Sequence, residues 1–135
     1  MALFTWNDSF SVKVKQFDDQ HKKLVDLVNK LHDSMKEGKG AAGAKEVLNS
    51  LITYTQTHFA DEERLMKQHG YPSYEQHKKE HNQLVMKVSD IKKLIDEGKM
   101  LISHELMVFL KEWLVKHIQG EDKKYGPFLN GKGVA

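Results

Sequence analysis

Apolar positions recur three and four residues apart through most of the chain, the signature of amphipathic helices rather than strands. From about Asp18 to about Lys36 the stripe is Leu24, Val25, Val28, Leu31 and Met35, with Asp18 placed to act as N-cap. The glycine-rich stretch from Gly38 to Gly43 ends it. A second stripe, from about Ala44 to Gln68, carries Val47, Leu48, Leu51, Ile52, Phe59, Leu65 and Met66 before Gly70-Tyr71-Pro72 breaks the chain. A third begins near Ser73, read as a cap with Gln76 three residues on, and carries Leu84, Val85, Val88, Ile91 and Ile95 as far as Gly98. The fourth begins near Ser103 and carries Leu106, Leu110, Trp113 and Leu114. Gly120 is expected to stop it in a left-handed conformation.

Four such helices with short connections predict an all-α fold, an antiparallel up-down-up-down four-helix bundle. Residues 1–135 read as a single domain: an N-terminal arm over 1–17, the bundle over about 18–122 and a C-terminal extension over 123–135. Phe4, Trp6, Phe10 and Val12 make the first segment too apolar for a free tail, so the arm should fold along the bundle. Asn130 to Ala135 read as a frayed end.

Composition narrows the chemistry. A chain of 135 residues can bury a core without staples. It has no cysteine, which excludes disulfides, thiolate metal sites and thiol catalysis. The 21 basic and 19 acidic residues are interspersed, which gives no stripe for nucleic acid and no anchor for an anionic membrane surface. The opening MALFTWNDSF lacks the basic leader and apolar stretch of a secretory signal, and no apolar run approaches the ~20 residues of a membrane span. A soluble, cytoplasmic monomer is the expectation.

Polar residues at otherwise apolar spacings carry the function. His58 with Glu62, and His77 with His81, are spaced i to i+4, which stacks each pair on one helical face. His21 lies at the start of the first helix and His117 near the end of the fourth. In an antiparallel bundle the starts of odd helices and the ends of even ones share one end, so all six should meet. Asp122 would lie about 140° around a continuing helix from His117, and a turn at Gly120 is expected to bring it back. Five imidazoles and two carboxylates suit a borderline first-row metal such as iron, not calcium or magnesium. Two six-coordinate irons offer about twelve positions. Five histidines, two bridging carboxylates and one oxo or hydroxo bridge leave a single position for a small ligand.

In order along the chain, Asp18-Asp19-Gln20-His21-Lys22, His58-Phe59-Ala60-Asp61-Glu62-Glu63, His77-Lys78-Lys79-Glu80-His81 and His117-Ile118-Gln119-Gly120-Glu121-Asp122 resemble the bacterial hemerythrins. Met66, Gly70-Tyr71-Pro72 and Trp6 also fit, and the resemblance runs nearly the whole length. Phe17, where isoleucine is frequent, is a minor departure. The resemblance implies a non-haem di-iron centre that binds dioxygen reversibly. It implies that His77, His81 and His117 hold one iron and His21 and His58 the other, with Glu62 and Asp122 bridging. Phe59, Trp113, Leu114 and Ile118, beside or one turn from the ligands, are expected to wall a dry oxygen pocket. The Glu-x-x-His pairs of ferritin-like sites are absent, and neutral imidazoles outnumber carboxylates, which disfavours O–O cleavage.

Three further histidines should stand apart. His32 shares the face of His21 but lies about 16 Å farther along the helix, and His69 lies about 10 Å beyond Glu62. His104 belongs to the opposite end of the bundle. The function expected is oxygen storage, transport or delivery to an oxygen-using enzyme, with no enzymatic activity of its own. Two alternatives are an oxygen or redox sensor acting through a separate partner, and a di-iron peroxidase or nitric-oxide-handling enzyme. Sensors usually carry an attached output domain, and the short stretch after Asp122 weakens the sensor reading without removing it; no general acid or base is evident, which ranks the enzyme last.

Overall fold

The computed structural model describes the backbone of residues 5–36, 40–98 and 104–135. Its long elements are α1 (Lys15–Lys36), α2 (Gly40–Gln68), α3 (Tyr74–Asp96) and α4 (His104–Lys116). A π-helical segment, His117–Asp122, continues α4 directly into a short α5, Lys123–Gly131. α1 packs against α2 and α4, and α2 against α3. Lys87 on α3 reaches over the Phe109 ring of α4, 4.4 Å from its centroid. The described residues contain no strand. The expected bundle is therefore the fold.

The core follows the sequence stripes. Leu24, Val25, Val28 and Leu31 of α1 meet Leu48, Leu51 and Met66 of α2, Leu84, Val88 and Ile95 of α3, and Leu106, Leu110 and Leu114 of α4, all buried. Phe4 and Ser103 lie outside the described residues, as do the side chains of Met35 and His104. No described helix is long and apolar enough to cross a membrane.

Helix ends depart from expectation in four places. α1 starts at Lys15, so Asp18 is not its cap; its carboxylate instead reaches back to the arm, accepting from the Val12 N–H at 2.8 Å and the Ser11 hydroxyl at 2.6 Å. α2 starts at Gly40, inside the glycine-rich stretch, where Ala41, Ala42 and Ala44 are strong helix formers that offset the glycines. Ser73 precedes α3 but makes no side-chain capping bond. The tail is not frayed: Gly133, at φ 85°, lets Val134 N–H reach Leu129 C=O and its own N–H reach Asn130 C=O. That is the paired-bond, left-handed helix ending which also closes α2 at Gly70.

The arm folds along the bundle as expected, through one 3₁₀ turn, Asp8–Phe10. Phe10, Val12 and Val14 are buried, and Trp6 packs on Phe10 at 5.6 Å. Lys13 sits at φ 62°, a left-handed conformation unusual for a residue with a side chain. It is held there from the other end of the molecule, where Asn130 donates to its carbonyl at 3.0 Å and to Val134 C=O at 2.8 Å. Arm and C-terminus close one end of the bundle together.

Candidate metal centre

Among the described residues, all the charged and imidazole side chains that are fully buried gather at that end. His21, His58, Glu62, His77, His81, His117 and Asp122 are each at most 4% exposed, while the other buried residues are apolar or glycine. α1 delivers His21, α2 His58 and Glu62 from adjacent turns, α3 His77 and His81 likewise, and the π segment His117 and Asp122. Burying so many polar groups is costly unless each finds a partner.

The last pair corrects the sequence reading. Gly120 is not among the residues with left-handed backbone, and the helix does not end there. The π segment spaces its hydrogen bonds i to i+5, the separation of His117 and Asp122. The wider turn brings both onto one face, and His117 Nε2 lies 3.1 Å from Asp122 Oδ1. A local change of helix type does what the proposed turn was meant to do.

The donor atoms form two overlapping groups. Glu62, His77, His81, His117 and Asp122 present ligand atoms within 4.8 Å of one another, and so do His21, His58, Glu62 and Asp122. The histidines divide three and two, and both carboxylates belong to both groups. Carboxylate oxygens lie 2.8 Å from His77 Nε2 and 3.0 Å from His21 Nε2. Even so, those two nitrogens, Glu62 Oε1 and both Asp122 oxygens make no aligned hydrogen bond. His81 Nε2 and His117 Nε2 face each other at 3.0 Å. Donor atoms crowded together with no aligned hydrogen bond at five of them are what two cations, each ringed by nitrogen and carboxylate oxygen, would resolve. The residues therefore fit a pair of metal ions.

Outer contacts orient the rings. His58 Nδ1 faces Gln20 Oε1 at 2.5 Å, and Gln20 Nε2 in turn donates to Asp61 Oδ2 at 2.9 Å. His81 Nδ1 faces Glu63 Oε2 at 3.0 Å. Both contacts place the proton on Nδ1 and turn Nε2 inward as ligand. Tyr125, wholly buried on α5, donates its hydroxyl to Glu62 Oε2. Gln20 and Glu63 lie within the motifs that carry the resemblance but receive no role from the sequence. Tyr125 was missed because Gly120 was read as the end of helix. The signal was present, since Tyr125, Phe128 and Leu129 continue a helical stripe.

Charge follows position. Burial alone would lower His21, but Asp122 and Glu62 beside it win and raise it to about 9. Burial dominates at His58 and takes it down to about 4. Burial and mutual repulsion push Glu62 and Asp122 up, yet the facing imidazoles hold both well below the usual carboxylate range. Burial, then the nearby carboxylates, push the Tyr125 phenol well above its ordinary value, so it remains a donor.

Of the four residues expected to wall a pocket, Phe59 stacks on His81 with ring centroids 3.7 Å apart, and Trp113 stacks on His117 at 4.4 Å. Ile118 is buried beside the same ligand. Trp113 and Leu114 also line a partly open cavity of about 30 Å³ one layer into the bundle, with Val28, Leu51, Leu84 and Leu110 among its other walls. Thr55 supplies its hydroxyl, which already donates to Leu51 C=O at 2.6 Å. Phe59 and Ile118 do not line this space. His32 and His69, both half-buried, belong to neither donor group.

This arrangement has known counterparts. The family model for the hemerythrin HHE cation binding domain matches residues 12–129. The chain belongs to the hemerythrin family. It is 40% identical over 131 residues to the bacteriohemerythrin of Methylococcus capsulatus, covering 96% of this chain and 99% of that one. The bacteriohemerythrin of Pseudomonas aeruginosa is 37% identical over 125 residues, 93% of this chain and 80% of that one. The myohemerythrin of Theromyzon tessulatum is 33% identical over 90% of each chain. A solved wild-type hemerythrin superposes with a TM-score of 0.90 at 39% identity, covering 93% of this chain and 97% of that one. The hemerythrin-like reading of the motifs thus holds at the level of family and fold.

Proposed function

We propose that this hemerythrin-family chain binds dioxygen reversibly at two non-haem iron ions, for storage, transport or delivery to an oxygen-using enzyme. The observation that carries the reading is the sharing of Glu62 and Asp122 between a three-histidine and a two-histidine group. His77, His81 and His117 would hold one iron and His21 and His58 the other, with an oxo or hydroxo group completing the bridge. The two-histidine group offers one imidazole fewer than the other, so a diatomic molecule would enter on that side. The ferrous pair would supply the electrons that dioxygen binding requires. The protein supplies neutral imidazoles, which keep the anionic charge low, and a dry apolar surround.

That surround favours binding over turnover. Phe59 and Trp113 cover two ligand rings, and Trp113 and Leu114 face an almost wholly apolar cavity. Such a space accepts an apolar gas and offers little to a water molecule, which needs two or more polar partners. Keeping water and protons away from the site would slow oxidation of the irons it would hold.

The test is an oxygen cycle on iron-loaded protein, reduced anaerobically and followed by its visible spectrum. An oxygen-dependent charge-transfer band should appear and then vanish on deoxygenation. Leu114→Asn, which sets an amide in the cavity wall, should keep its iron while the oxygenated form decays at least several-fold faster. One-way conversion of the parent to a ferric product would move the assignment to redox sensing or catalysis. Equal decay in parent and variant would sink the dry-wall argument.

A further inference from the structure

Tyr125 joins two parts of the molecule that have no evident reason to communicate. Its hydroxyl donates to Glu62 Oε2, one oxygen of a carboxylate that both donor groups share. Its ring is wedged between Phe17 at 5.4 Å and His77 at 5.7 Å. The neighbouring residue, Gly126, lies so close under the arm that a Cβ there would collide with the Val12 carbonyl oxygen. Val12 is itself fixed, its N–H held by Asp18 at 2.8 Å. The next residue, Lys13, is pinned in its left-handed conformation by Asn130, five residues beyond Tyr125. A further bond, Gln119 Nε2 to Ser9 Oγ at 2.9 Å, ties the arm to the π segment.

We propose that Tyr125 is a positioning residue for the shared carboxylate Glu62, and that the N-terminal arm, clamped on α5 through Val12–Gly126 and Lys13–Asn130, holds it in place. The inference rests on the di-iron reading above. A carboxylate that accepts a hydrogen bond is a weaker electron donor to a metal, and a fixed donor also decides which oxygen faces which ion. Tyr125 thus favours the ferrous pair over the ferric pair. The arm, remote in sequence, acts as part of the metal site rather than as a cover on the bundle.

The experiment compares parent, Tyr125→Phe and Asn130→Ala as iron-loaded proteins. It reads the midpoint potential by spectroelectrochemistry and the rate at which the diferrous form oxidises in air. Tyr125→Phe keeps the ring and removes only the donor. Its potential should fall, and its oxidation should quicken by about 10-fold or more, the scale on which outer contacts of metal ligands act. Asn130→Ala, an exposed residue that releases the arm while keeping the phenol, should shift both readings the same way by a smaller factor. Parent values for both readings in both variants, with only the melting temperature lowered, would overturn the proposal and leave Tyr125 as filler. If Tyr125→Phe does not fold, parent values in Asn130→Ala alone would overturn it. A parent chain that fails to hold two irons would overturn the functional reading instead, a result visible before either variant is made.

Discussion

Seven side chains make up the candidate site, and neighbours and burial set the protonation of His21, His58, Glu62 and Asp122 in the metal-free protein. His21 is raised to about 9 by Asp122 and Glu62, against about 6.5 in an unfolded chain. A raised imidazole stabilises the fold fully below about pH 6.5, and the contribution is lost as pH climbs through about 9. His58 is depressed to about 4, so its effect runs the other way: present above about pH 6.5 and lost as pH falls toward 4. Glu62 and Asp122, both lowered, add to the loss on the acid side. The metal-free protein should therefore be most stable near pH 6.5, with a fall of about 3 kcal/mol toward pH 9 from His21. Urea denaturation across this range checks it. Zinc loading should abolish the alkaline fall, since the metal replaces the His21 proton. A flat profile from pH 6.5 to 9 in the metal-free protein would show that His21 is not paired as described.

At the scale of elements, the turn of the helix after His117 decides whether the site closes. An ordinary helix would point Asp122 away, and a glycine turn would have to redirect it; the π segment makes the turn unnecessary. The two accounts differ at Gly120. Its backbone is helical and a Cβ there would meet nothing within 4 Å, so Gly120→Ala should stabilise the protein by about 0.4–1 kcal/mol through the unfolded chain. A left-handed residue would instead lose stability on the same change. Gly126→Ala should lose about 1–3 kcal/mol, because its Cβ would press on the Val12 carbonyl. Chemical denaturation of the two variants, opposite in sign, tests the continuous α4–π–α5 rod. The i to i+5 spacing of His117 and Asp122 was visible in the chain, but a single π turn has no composition of its own to mark it. By contrast, α1 to α4 were legible within a few residues, because their stripes repeat over many turns and tertiary packing rewards that periodicity. Their ends were less legible. Asp18 serves the arm and not the helix start, bonding Val12 and Ser11 six and seven residues before it, partners that a capping pattern does not consider.

At the scale of the whole molecule, antiparallel packing is what turns scattered residues into one site. Starts of α1 and α3 and ends of α2 and α4 share a pole of the bundle, so ligands separated by up to a hundred positions come within 4.8 Å. That convergence could be read from topology alone. The arm and α5 could not, since each looks like a terminus until the other is placed against it. Together they bring Tyr125 to Glu62 and seal the pole that carries the charged groups. Burial of the described apolar core, mostly Leu, Val and Ile with Met107, offsets the cost of seven buried polar side chains. On the proposed function, these seven residues would hold two unlike irons joined by shared carboxylates. Mössbauer spectroscopy of protein loaded with ⁵⁷Fe and oxidised tests it most directly. Two irons per chain, in two unequal quadrupole doublets with no net magnetism at low temperature, are the predicted result. One iron per chain, or two magnetically independent ferric ions, would contradict it.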